Sequence, residues 1–134
     1  MAPAAYASLQ QFYARQMRLL DEGEGQAWAD TFTEDGVFDQ STFTEPVRGR
    51  AAIAAAVRDR PGPPPGTVRR HWLGLPAAWR FPDGSVRSGY DALVVTTAAG
   101  GAPGIRLSTS CQDVLVADGD GWLVRHRYVG HDGQ

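Results

Sequence analysis

The residues able to do chemistry are a histidine and two aspartates set among apolar neighbours. His71 follows Arg69 and Arg70 and precedes Trp72, Leu73 and Gly74. Imidazole titrates near neutrality, which suits proton transfer, although a lone histidine also occurs half buried with both nitrogens satisfied. Asp91 lies within the run from Ser88 to Val95, where a carboxylate needs a partner or a cavity. Asp39 stands between Phe38 and the Gln40–Phe43 run. Flanked by aromatics, it is placed for a raised pKa and general-base work, the alternative being a strand aspartate in solvent. Ser108, Ser110 and Gln112 alternate, so they share one face of a strand. Facing inward they make a hydrogen-bonding rail for a ligand; facing outward they are ordinary polar surface. His126, between Arg125 and Arg127, and His131, in the terminal tail, read as unremarkable. The histidines show no metal-ligand spacing, so no metal is expected. Cys111 has no second cysteine to pair with and no adjacent base, and reads as a buried structural thiol.

These groups need a frame. Tyr6, Leu9, Phe12, Tyr13, Met17 and Leu20 recur at three- and four-residue steps, which predicts a helix over 4–20, broken by Gly23 and Gly25. A short helix through Gln26–Phe32 follows, then a strand over 37–43 and an alanine-rich helix over 48–60. The proline run 61–66 ends that helix. Strands are expected over 68–81, 85–98, 104–117 and 121–130, separated by Asp-Gly and Gly-Gly turns that mark hairpins. Pairing the first two around Pro82-Asp83-Gly84 sets Asp91 opposite residues near 71–75. His71 and Asp91 can then be neighbours, the carboxylate fixing the imidazole tautomer, the alternative being an ion pair of Asp91 with Arg80 or Arg87. Helices first and a meander last give an α+β class: three N-terminal helices on a curved, mostly antiparallel sheet that encloses a pocket.

Composition narrows the function. The chain has 134 residues, enough for one domain (1–134) with a real core. Its net charge is -2, which argues against a nucleic-acid surface. No apolar run reaches membrane-spanning length and no secretory signal is visible, so the expected compartment is the cytoplasm. There is no nucleophile elbow, phosphate loop or dinucleotide fingerprint, and no cofactor is expected.

The chain resembles a known superfamily. Phe12-Tyr13, the stretch from Trp28 through Phe32 and Gly36 to Asp39, and Arg48–Ile53 resemble the front half of NTF2-like proteins. Arg70–Gly74 and Gly121–Val129 are similar to the SnoaL-like branch. The resemblance covers nearly the whole chain and implies the cone fold of that superfamily. Within it, scytalone dehydratase is the nearest enzymatic likeness. The likeness puts one catalytic histidine at His71 and a pocket serine and asparagine near Ser108 and Ser110. The second catalytic histidine falls at Asp91 and a water-binding tyrosine at Gln40, two departures at functional positions. Ketosteroid isomerase places its general base at Asp39 and its oxyanion-binding tyrosine near Tyr13. Small SnoaL-like proteins of this kind serve aromatic polyketide pathways of actinomycetes.

The resemblance therefore implies a cofactor-free cyclase, dehydratase or isomerase acting on an aromatic polyketide intermediate. His71, Asp91 and Asp39 are the expected acid/base groups. Tyr13, Gln40, Ser108 and Ser110 would bind substrate oxygens, and Trp28, Phe43 and Trp72 would wall the cavity against flat rings. The other reading is a non-catalytic small-molecule-binding or scaffold module. A homodimer is implied by the same family, with no nucleic-acid or membrane partner.

Overall fold

The computed structural model describes every residue from Met1 to Gln134. α1 (Pro3–Asp21) opens on a proline, whose missing N–H would have had no partner in the first turn anyway. Its buried side is Leu9, Tyr13 and Gln16, on the helical spacing that the sequence predicts. α2 (Gly25–Ala29) buries Trp28, and α3 (Arg50–Arg58) buries Ile53 and Ala54. The strands are β1 (Phe32–Gln40), β2 (Val47–Arg48), β3 (Val68–Leu73), β4 (Ala77–Arg80), β5 (Val86–Thr97), β6 (Pro103–Asp118) and β7 (Gly121–His131).

Several boundaries differ from expectation: the second helix ends at Ala29, with Phe32 already in β1, and the third spans only Arg50–Arg58, with Arg48 in β2. The first strand begins at Phe32 rather than 37 and stops at Gln40. The run expected over 68–81 divides into β3 and β4 because Gly74-Leu75-Pro76 interrupts it. Pro76 has no N–H for a ladder, although Gly74 still donates to the Asp91 carbonyl at 2.8 Å. The Pro82–Gly84 turn is present, with Gly84 at a φ of 86° that an L side chain rarely adopts.

The sheet runs β2-β1-β7-β6-β5-β3, with β4 also on β5. β5 is long enough for β4 to pair with its first half and β3 with its second. Every neighbouring pair is antiparallel except β1 with β7. The helices cover the sheet's inner face, and Leu9, Trp28, Phe32, Ile53, Leu115 and Val124 are fully buried between the layers. The architecture is the expected α+β one.

Two β-bulges decide which side chains face inward. Val94 pairs with Leu107 but Val95 with Ile105, so Arg106 is an extra residue. Val114 pairs with His126 but Leu115 with Val124, so Arg125 is another. Across such a bulge the alternation changes phase. On β7 the buried residues are accordingly Trp122 and Val124 before the bulge and Arg127 after it.

Candidate active site

A cavity of about 790 Å³ opens between the inner face of the sheet and the helices. That volume suits a small organic ligand. Trp28, Phe38 and Phe43 form one wall, packed edge to face with ring centroids 5.4 and 5.6 Å apart along the series. Such rings present a rigid apolar surface to a flat molecule. A second hollow of about 780 Å³ runs along α1 and β3. It touches His71 but reaches neither Trp28, Gln40 nor Arg127, so the chemistry converges on the first.

His71 lines the cavity from β3. Its Nδ1 lies 2.6 Å from Oδ1 of Asp21, the last residue of α1. The same carboxylate accepts the His71 backbone N–H, at 3.0 and 3.2 Å from its two oxygens. A carboxylate gripping both backbone and ring fixes the ring's orientation and leaves Nε2 without a protein partner. Burial pushes the imidazole pKa below its ordinary value; Asp21 opposes this, and Arg60 and Arg69 reinforce it. Contact with Asp21 would by itself favour imidazolium, but burial and the two guanidinium groups outweigh it. At neutral pH the ring is therefore neutral, with its proton on Nδ1 toward Asp21 and a lone pair on Nε2.

Deeper in the cavity is a buried polar network. Asp113 on β6 accepts from Arg127 Nε at 2.9 Å and from Arg127 Nη2 at 2.8 Å. It also accepts from the hydroxyls of Tyr13 at 2.7 Å and Tyr90 at 3.2 Å. Arg127 Nη2 donates further to Gln16 Oε1 at 2.8 Å, and Gln16 Nε2 to Thr31 Oγ1 at 2.7 Å. Burial disfavours the charged guanidinium, but Asp113 more than offsets it and holds the Arg127 pKa well above its ordinary value. Burial raises the Tyr13 and Tyr90 pKa values, with the charge of Asp113 adding to it. Both phenols thus remain protonated donors. Arg127 Nη1 has no protein partner and is not sealed off, so it is the network's donor to the cavity.

The structure separates the sequence-predicted residues into two sets. His71, Trp28, Gln40 and Phe43 line the cavity. Gln40 Oε1 lies 2.6 Å from Nε2 of His131, which also lines it; His131 ends β7 and does not lie in a loose tail. Asp91, Asp39, Ser108, Ser110 and Trp72 lie on the outer face. Asp91 does fall opposite the 71–75 stretch, but His71 pairs with Val94, so the two residues point to opposite sides. The partner of His71 is Asp21 instead. Asp39 pairs with Tyr128 on the outer face, away from Phe38 and Gln40. Ser110 pairs with Asp91, and Ser108 bonds Asp132 at 2.6 Å; on β6 the inward residues are Thr109, Cys111 and Asp113. Trp72 is 60% exposed. Tyr13 belongs to the buried network, its hydroxyl already donating a hydrogen bond to Asp113.

Asp21, Asp113, Arg127, Tyr90 and Gln16 are the polar groups that sequence reasoning missed. Gln16 carried a signal, since it interrupts the apolar stripe of α1; Asp113 and Arg127 stand beside other polar residues, Gln112 and His126, and carried none. Cys111 lines the cavity with its pKa raised by burial, as a structural thiol would be. No group of three or more His, Cys, Asp or Glu side chains gathers as a metal site. No helix is long and apolar enough to cross a membrane.

Residues 3–128 match the SnoaL-like domain family. ActVI-ORFA from Streptomyces coelicolor is similar in structure with a TM-score of 0.90 and 36% identity, the match covering 97% of this chain and 98% of that one. Aln2 from another Streptomyces strain gives a TM-score of 0.87 and 30% identity, covering 98% and 94%. A protein from Catenulispora acidiphila, solved in complex with S-DNPA, gives 0.83 and 38%, covering 98% and 96%. No curated protein matches the sequence.

Proposed function

The chain belongs to the SnoaL-like domain family, and we propose that within it the protein is a cofactor-independent cyclase or dehydratase of an aromatic polyketide intermediate. The observation that carries this reading is the neutral His71 imidazole, oriented by the Asp21 carboxylate, in a cavity that also holds an aromatic wall and a buried cation. Its likeness to a protein solved in complex with S-DNPA supports the reading that this chain, too, takes a small molecule.

In this mechanism the flat substrate packs against Trp28, Phe38 and Phe43. His71 Nε2 takes a proton from the carbon next to a carbonyl. The electron pair moves onto the carbonyl oxygen, and the enolate is met by Arg127 Nη1. The imidazolium, stabilised by Asp21, then returns the proton to a departing β-hydroxyl, which leaves as water. Ring closure uses the same parts: His71 removes the proton of an attacking hydroxyl, whose oxygen adds to the β-carbon of an enone; the electron pair moves onto the carbonyl oxygen facing Arg127 Nη1, and the imidazolium returns the proton to the α-carbon. General acid/base catalysis of this kind contributes about 10²–10⁴-fold. Electrostatic stabilisation by Arg127, held rigid by Asp113, needs no reorganisation as charge develops.

The test is proton exchange followed by NMR in D2O on a flat aromatic β-hydroxyketone. The wild type exchanges the α-proton and releases water, while His71→Gln binds the ketone but loses turnover by about 10²-fold or more. Unchanged exchange in His71→Gln removes the histidine from the chemistry. One observation favours a non-catalytic carrier: Asp39, Asp91, Ser108 and Ser110 face away from the cavity, so none of them reaches a ligand bound in it. Binding without exchange by the wild type would select that reading.

The outer face also bears on assembly. Val68, Trp72 and Ile105 are exposed on it, at 46%, 60% and 67%. Apolar groups of this size are unfavourable in water, and a homodimer through this face would cover them. Light scattering on the wild type and Trp72→Arg measures this directly.

A further inference from the structure

The cavity mouth holds a cluster of cations with no ionic partners. Arg60, just past α3, Arg69 on β3 and Arg106 on β6 all line it. The chain's ion pairs are Arg58–Asp59, His71–Asp21 and Arg127–Asp113, so none of these arginines is neutralised by a carboxylate in contact. Arg69 ties Nη2 to the Pro61 carbonyl at 3.1 Å, which steadies the proline loop beside the mouth. Glu45 and Asp59 line the same cavity, but Asp59 faces Arg58 at 3.6 Å. Arg60 and Arg106 are exposed and Arg69 is half-buried, yet the arginines sense one another: crowding by surrounding protein disfavours the charge on Arg60 most, Arg69 and Arg106 add to this, and Asp21 opposes it.

Arg106 reaches the mouth because of the bulge. Next to it Leu107 faces inward opposite Val94, while Ile105 faces outward opposite Val95. In an unbroken strand a residue next to an inward Leu107 would face outward. An irregularity in the ladder thus adds a third guanidinium to a mouth already bearing two. Like charges held together are destabilised until an anion joins them, and guanidinium forks match a planar carboxylate.

We propose that the cavity mouth is an anion subsite that holds a free carboxylate on the substrate, its aromatic body lying inward against Trp28 and His71. This inference rests on the cavity being the substrate site. It adds that the natural substrate is a free acid and not an ester or other neutral derivative.

The experiment compares anthraquinone-2-carboxylate with anthraquinone-2-carboxamide by calorimetric titration of wild type, Arg106→Gln and Arg69→Gln. The two probes share shape and differ in charge. The acid should bind the wild type about tenfold or more tightly than the amide, since hydrogen bonds to charged groups are the stronger kind. Each substitution should cut that ratio by about 3–10-fold, allowing for solvent at the mouth, while leaving amide binding unchanged. Added salt should weaken acid binding alone. The amide serves as the folding control. An acid that binds no tighter than the amide, or a ratio unaltered in both variants, overturns the anion subsite and leaves the cavity reading intact. If neither probe binds, the cavity reading falls and the subsite with it.

Discussion

Consider Asp113→Asn, a substitution that changes almost no volume. In the wild type this carboxylate meets both Arg127 Nε and Nη2 and accepts both phenol hydroxyls. The Asp113 and Arg127 side chains are 0% and 4% exposed. The amide removes the counter-charge and turns one acceptor into a donor that faces other donors. A guanidinium left buried without its partner costs about 3–5 kcal/mol. Natural domains have only about 5–15 kcal/mol in total, so this is a large part of the whole. The midpoint of thermal unfolding should fall by roughly 10–20 °C. Urea unfolding of Asp113→Leu, of Arg127→Met and of the Asp113→Leu/Arg127→Met double variant completes a cycle, with Asp113→Asn measured beside it. Because replacing a buried pair by apolar groups can be nearly neutral, the double variant should be more stable than Asp113→Asn. A loss under about 1 kcal/mol in Asp113→Asn, or a double variant as damaged as the two singles added together, refutes the view of Asp113 as the counter-charge of Arg127.

The remaining predictions concern the dyad. His71 has a folded pKa below 6.5, its ordinary value, because burial disfavours its charge. Between that folded value and 6.5 the unfolded chain holds a proton that the folded chain lacks. Stability from this group is therefore lost as pH falls through 6.5 toward the folded pKa, and is restored as pH rises again. His71→Gln should flatten that part of the stability–pH curve measured by urea titration. If His71 is the base, kcat/KM should hold level below pH 6.5 and fall only as the buried imidazole takes up a proton. Asp21→Asn should lower kcat by about 10²-fold with little change in KM, since it frees the tautomer without altering the cavity wall. Asp91→Asn, on the opposite face of the sheet, should leave both constants within about twofold; a large loss there would restore Asp91 as the partner of His71.

The amino-acid sequence determined most of the architecture, because that information is local. The apolar stripe of α1, the proline stop after α3 and the Asp-Gly turns of the hairpins all act within a few residues. The hairpin turn even set Asp91 opposite the 71–75 stretch. Of the three aromatics expected in the wall, Trp28 and Phe43 line the cavity while Trp72 is exposed on the outer face, because the facing of a strand residue depends on how the strands pair. The tertiary structure decided which polar groups meet. Asp21 and His71 are 50 residues apart, and no local pattern joins the end of a helix to the middle of a strand. Alternation along β7 from Trp122 and Val124 would point His126 inward, but the extra residue Arg125 changes the phase and buries Arg127 against Asp113. Side-chain direction in a strand has period two, so one inserted residue reverses it. A bulge is set by how neighbouring strands twist and pair across the sheet, and the chain read one strand at a time does not contain it.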